Sequence, residues 1–347
     1  MENTRAGEPL ESALLGASPG RRGSSTSLES KYDRRITSFL GLTFGFTWLV
    51  VGAGYLLGVT SIRSPGYIAL AALCMLCPAL AAVIQQLVLD RESWSGLGIS
   101  LKATRWSIVF WTAAVGTAIV PLYLLVTHLL AAALGFEGFG QVSVTSEQVS
   151  SALASGGERA AVLRALLENI PGWAVLVGAL LVALVAAVTV NLPFMLGEEL
   201  GWRGYLWQRT AHWNGYSRVL FTGTAWGLWH APLVAMGHNY PGYPAAGIGM
   251  MVILCILLAF LFDWTRSRSR SIWSSCVLHG LINGTVGLAV VFAPGSHALF
   301  GVTGAGGFAA LGLMVVAIVA FDRPYRAQLT GKARSAFPTS IPAQLVS

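Results

Sequence analysis

Residues 173–190, WAVLVGALLVALVAAVTV, carry no charge, and residues 194–203, FMLGEELGWR, follow them almost at once. The first stretch approaches the roughly 20 apolar residues that cross a bilayer as a helix. The second places Glu198 and Glu199 side by side where that helix ends. A charge inside a bilayer costs on the order of a few kcal/mol, so an acid there marks a functional site unless it sits at headgroup level as an ordinary interfacial residue. On this stretch alone the two readings balance, and residues far downstream decide between them.

Composition sets the class. Of 347 residues, 54% are hydrophobic and 11% charged, with mean hydropathy +0.65, whereas a soluble domain carries about a quarter charged residues. The chain therefore reads as a polytopic membrane protein, an all-α helix bundle with the lipid bilayer as one partner. Its net charge of +7 reads as cytoplasmic loop charge, not as a nucleic-acid surface. Cys74, Cys77, Cys255 and Cys276 all fall in apolar segments and read as small buried hydrophobes.

Taken in order, residues 1–35 are rich in Ser, Gly and Arg without apolar periodicity and read as a disordered tail. They lack the short apolar core and small-residue site of a cleaved signal peptide. A membrane domain over 36–322 follows, with eight expected spans: Ile36–Val59, Tyr67–Leu89, Trp106–Leu134, Trp173 into the Glu pair, Ser217–Met236, Ala245–Trp264, Ile272–Ala293 and Gly304–Phe321. Residues 323–347 read as a second tail. With the N-terminus in the cytoplasm, 16 basic residues fall on the inner side and only Arg63, Arg159 and Arg164 on the outer. That is the bias of the positive-inside rule, and it puts both termini in the cytoplasm. Arg266-Ser-Arg-Ser-Arg270 reads as a basic loop anchoring the topology. In the long outer connection 135–172, Thr145 and Gln148 have capping-box spacing. Val162, Leu163, Leu166 and Leu167 recur at helical spacing there, fitting a helix on the outer leaflet or a simple spacer.

Three polar clusters interrupt the apolar segments of the second half. In the first, Glu199 and Arg203 are i and i+4 and share a helix face, while Glu198 is turned about 100° away and is free for another task. Pro193 removes a backbone hydrogen bond just upstream and favours a kink. The second cluster is Trp226-Gly-Leu-Trp-His230-Ala-Pro232, and the third His279-Gly-Leu-Ile-Asn283, whose His and Asn again share one face. His128 reads as a packing residue, and His212, His238 and His297 as residues at or beyond the membrane edge. From the same membrane face, His230 is 13 residues into its span and His279 is 7 into its own, roughly 20 Å and 10 Å at helical rise. The three clusters are thus expected to meet in one pocket in the cytoplasmic leaflet. A carboxylate, two imidazoles and an amide in a water-poor site are parts for splitting an amide with an activated water.

In this order, Glu198-Glu199-x-x-x-Arg203, aromatic-x-x-x-His230 and His279-x-x-x-Asn283 resemble the CAAX-processing and bacteriocin-processing intramembrane proteases, the group that includes the glutamic prenyl-protein endopeptidases. The resemblance covers about 180–295. Trp226 stands where that family usually has Phe. The resemblance implies an eight-helix core, Glu198 as the base that activates water, and His230 as its assistant. It further implies His279 and Asn283 as the oxyanion-stabilising pair, and Glu199 with Arg203 as structural support. The expected substrate is a peptide or membrane protein. The Ala, Gly and Arg-rich composition points to a bacterial plasma membrane, where a prenylated substrate is not expected. Two other classes use the same residues. A zinc peptidase would ligate the metal with two His and a Glu, but no His-Glu-x-x-His sequence occurs, so no metal or other cofactor is expected. A proton-coupled transporter would relay protons through Glu and His, but the two halves of the chain show no matching broken segments.

Overall fold

The computed structural model describes residues 22–135, 142–154, 157–293 and 303–332, and among them every regular element is a helix. The elements are α1 (Arg22–Leu56), α2 (Tyr67–Val83), α3 (Trp106–Leu134), α4 (Ser146–Leu153), α5 (Gly157–Leu167), α6 (Gly172–Val188), α7 (Leu192–Glu199), α8 (Trp207–Thr210), α9 (Gly215–Trp229), α10 (Ala231–Ala235), α11 (Pro244–Ser269), α12 (Ile272–Thr285), α13 (Leu288–Phe292), α14 (Ala305–Phe321) and α15 (Arg323–Leu329). Two stretches are π-helical, Ile84–Leu89 after α2 and Leu200–Leu206 between α7 and α8. Large apolar side chains such as Leu56, Ile68, Phe110 and Val182 are exposed on the outside, as expected of a surface that meets lipid instead of water. The molecule is an integral membrane helix bundle.

The eight apolar segments are helical, but they do not give eight continuous spans. Among the described residues, four helices are long and apolar enough to cross a membrane, or up to six if two bent pairs each count as one span. The fifth and seventh expected spans fall short because each breaks. α9 stops at Trp229 and α10 restarts with Pro232 in its first turn, since proline offers no N–H to continue the ladder. α12 ends at Thr285, before Gly287 and the short α13. The fourth bends by 60° between α6 and α7, with Pro193 in the first turn of α7. The breaks in the fourth, fifth and seventh segments lie beside the polar clusters.

Three boundary expectations change. α1 begins at Arg22, so the second part of the expected N-terminal tail is helix; no Pro or Gly interrupts Ser24–Arg35. Residues 1–21 lie outside the described residues. The expected C-terminal tail starts with α15, capped by Asp322, whose side chain accepts from Tyr325 N–H. It is anchored by fully buried Tyr325 and Leu329. The 266–270 basic stretch is not a loop, because α11 runs to Ser269. Arg266 is buried, as are Arg203, Arg209 and Arg218, so part of the positive bias is structural. Arg218 grips Asp263 through two hydrogen bonds, at 2.7 and 3.0 Å. In the outer connection Thr145 does accept from Gln148 N–H. The Gln148 amide, however, donates to Val291 O at 2.9 Å instead of closing a capping box, and so ties α4 to α13.

Two close helix approaches set the position of the polar clusters. A Cβ on Gly227 would lie 2.5 Å from Val252 Cα, and one on Gly223 2.6 Å from Ile256 Cα, so this small-xxx-small face lets α9 lie against α11. Gly197 and Gly201 likewise bring the Glu pair against α2, where a Cβ would meet Met75 O and Pro78 at 2.6 Å.

Candidate active site

The Glu pair faces two ways. Glu199 Oε1 accepts from Arg203 Nη1 at 3.1 Å, as the i, i+4 spacing predicts, even though the backbone widens to a π-helix from Leu200. The same oxygen also takes Nδ1 of His279 at 2.8 Å, a contact that spacing does not reveal. Glu199 Oε2 has no hydrogen-bond partner among the described residues. The Arg203 guanidinium lies between two rings, 4.3 Å from the Trp226 centroid and 4.0 Å from that of Phe262, in cation–π contact with both. Glu198 turns away from this cluster, and its Oε2 accepts from the indole N–H of Trp226 at 2.9 Å.

Trp226, in the last turns of α9, serves both sides. Its carbonyl oxygen lies 2.8 Å from His230 Nδ1. A carbonyl only accepts, so Nδ1 carries the proton and neutral His230 keeps its lone pair on Nε2. His279 also bonds through Nδ1, to a carboxylate; it can donate from Nε2 only when doubly protonated, with Glu199 as counter-ion.

One cavity of about 310 Å³ gathers the clusters, its wall including Glu198, Trp226, His230, His279 and Asn283. Four expected site residues thus converge on one space, while Glu199 and Arg203 are not among its lining residues. Apolar side chains of Met75, Leu254 and Leu258 complete much of the lining. The Asn283 amide lies 3.6 Å from Met195 Sδ. The cavity also reaches Ala71, His238, Asn239 and Thr303, so it extends beyond the half of the bundle that carries the basic clusters. The reason is that His230 sits at the far end of α9, where the chain turns back. His238, expected at the membrane edge, is therefore a lining residue. The flanking Gly237 and Gly242 were the available signal for that turn. His128 is exposed and does not line the cavity, and His297 lies outside the described residues. Among the described residues, no three His, Cys, Asp or Glu are grouped so as to hold a metal ion.

Residues 171–285 match the family model described as type II CAAX prenyl endopeptidase Rce1-like. Part of the chain is similar to a CAAX prenyl protease 2 of Methanococcus maripaludis, 30% identical over 92 residues, which are 25% of this chain and 34% of that protein. The matched region thus spans about a third of that relative's length. The match holds both Glu residues, His230, His279 and Asn283, and it supports the CAAX-processing and bacteriocin-processing protease family to which the motifs point.

Proposed function

We propose that this protein is an intramembrane endopeptidase that hydrolyses a peptide bond of a membrane-associated protein or peptide, using a water activated by Glu198. The observation that carries this reading is the convergence of Glu198, His230, His279 and Asn283, from three separate segments, on one largely apolar cavity. Glu198 takes a proton from water as the oxygen attacks the scissile carbonyl carbon. The Nε2 lone pair of His230 accepts the water's other hydrogen and orients it. The carbonyl oxygen becomes an oxyanion, which accepts from the Asn283 amide and from Nε2–H of protonated His279. The tetrahedral intermediate then collapses, and the carboxyl of Glu198 returns its proton to the leaving amine. Glu199 keeps His279 oriented and balances its charge.

The name of the similar archaeal protein makes a farnesylated peptide with a C-terminal CAAX sequence the first substrate to test, beside the same peptide without the lipid. Purified protein in lipid nanodiscs is expected to cleave at least one of them, and Glu198→Gln is expected to lower the rate by about 10²–10⁴-fold, as for a lost general base. Cleavage that survives this substitution, or no cleavage of either peptide, overturns the proposal.

A further inference from the structure

The loop 236–243 between α10 and α11 is bent sharply. Gly237 and Gly242 have positive φ, and so does Asn239, at 58°. Asparagine tolerates this conformation better than most residues, and held backbone of this kind clusters at functional sites. The loop is fastened from several sides. Ile62 N–H donates to Met236 O at 3.1 Å, His238 N–H to Leu233 O at 3.0 Å, and Tyr240 Oη–H to Thr303 O at 2.7 Å. The effect is to lay the His238 ring parallel to that of His230, centroids 6.2 Å apart and planes within 8°, on the wall of the same cavity.

The proton on His238 can be placed. Its Nδ1 is 2.8 Å from the phenolic oxygen of Tyr67, the first residue of α2. If the phenol accepted from Nδ1–H, its own hydrogen would have no acceptor among the described residues. With the phenol donating, both groups are satisfied. Burial also holds this imidazole down, to about 4, so near pH 7 it is neutral and its single proton sits on Nε2. Nε2–H has no protein acceptor among the described residues, and the ring lines the cavity. Glu198 and neutral His230 offer acceptors to that space; His238 offers a fixed donor. An extended peptide presents a backbone carbonyl about every 3.3 Å, so one seated at Asn283 has further acceptors to offer.

We propose that His238, held by Tyr67, is a substrate-binding residue of this cleft, donating from Nε2 to a backbone carbonyl of the bound peptide. This rests on the endopeptidase reading above. The competing role is a staple between α2 and the loop, which needs only Nδ1.

Two substitutions separate these roles. An Asn amide stands in for Nδ1 and a Gln amide for Nε2, so His238→Asn keeps the staple and loses the cleft donor, while His238→Gln does the reverse. The assay uses the full chain in nanodiscs with the farnesylated CAAX peptide or its unmodified form, whichever the wild type cleaves. His238→Asn is expected to raise KM about tenfold, the scale of one net hydrogen bond, with kcat within about twofold and Tm unchanged. His238→Gln is expected to keep KM near wild type. In a Glu198→Gln background, the same about tenfold weakening should appear in the binding of the fluorescent peptide. Unchanged KM and binding in His238→Asn, or a fall in kcat and Tm together in both variants, overturns the assignment while leaving the endopeptidase intact. Wild-type protein that cleaves neither peptide, or cleavage that Glu198→Gln does not affect, overturns both readings.

Discussion

The indole N–H of Trp226 donates to Oε2 of Glu198 over 2.9 Å, and both side chains are buried. The same residue's carbonyl fixes His230. Trp226→Phe keeps that carbonyl and a ring against Arg203, and removes the directed donor together with part of the buried indole. A hydrogen bond to a charged group contributes about 1.5–3 kcal/mol. Cleavage by Trp226→Phe is therefore expected to fall about 10- to 100-fold, with a modest change in Tm, and to show no further loss when combined with Glu198→Gln. Wild-type kcat/KM in Trp226→Phe would show that the indole does not position the base.

The two adjacent acids should differ in kind. Removing Glu199 strands the buried Arg203 and frees Nδ1 of His279, and breaking a buried pair costs about 3–5 kcal/mol. Glu199→Ala is expected to lower yield, melting temperature and cleavage together, and Arg203→Ala to behave alike. Glu198→Gln should melt like the wild type and cleave poorly. A folded, inactive Glu199→Gln beside a fully active Glu198→Gln would reverse the two roles.

Gly227 reaches the site through packing alone. A Cβ there meets the α11 backbone at 2.5 Å, which cannot yield as a flexible side chain can. Overpacking of this sort costs about 1–3 kcal/mol, and α9 carries Trp226 and His230 with it when it moves. Gly227→Ala should lose thermal stability and cleavage. Gly249→Ala, with nothing among the described residues within 4 Å of the added atom, is the matched control. Identical melting curves for the two would refute the packing argument.

At the opposite end of the bundle, Asp90 accepts from Arg209 at 2.8 Å and Tyr205 at 2.7 Å and pairs with Arg35 at 3.1 Å. Glu92 joins both arginines. Burial pushes the Glu92 carboxyl up, but hydrogen bonds and charge from Arg209 and Arg35 outweigh it and hold the group below the usual carboxylate range. A depressed native value means stability present above the unfolded value, about 4.3, and lost as pH falls through the folded one. Melting temperature should decline below about pH 4, and less steeply in Glu92→Gln. The effect is small because Glu92 is partly exposed. Asp90→Asn should cost more at neutral pH. An equal acid decline in Glu92→Gln would remove Glu92 from the explanation.

Topology rests on charge. Reporter fusions after Arg105, Arg218, Arg270 and Arg326 are expected to report cytoplasm, and fusions near Ala154 and Tyr240 the other side. A cytoplasmic reading at Tyr240 would contradict the proposed orientation of α9.

The sequence by itself determined the class, the approximate helical segments and four of the residues that line the cavity. Uncharged runs near bilayer length have few folded forms, and an i, i+4 pair such as Glu199–Arg203 is fixed by helix geometry whatever surrounds it. Tertiary structure decided the rest. Which side chain Glu198 meets depends on how α7 crosses α9, and which oxygen His279 shares with Arg203 depends on how α12 packs. No local period encodes a contact between residues 28 or 80 positions apart. His238 was hidden for the same reason. Its neighbourhood is set by a loop that turns back over His230, and that turn is held by Tyr67 and Ile62 from the far side of the chain.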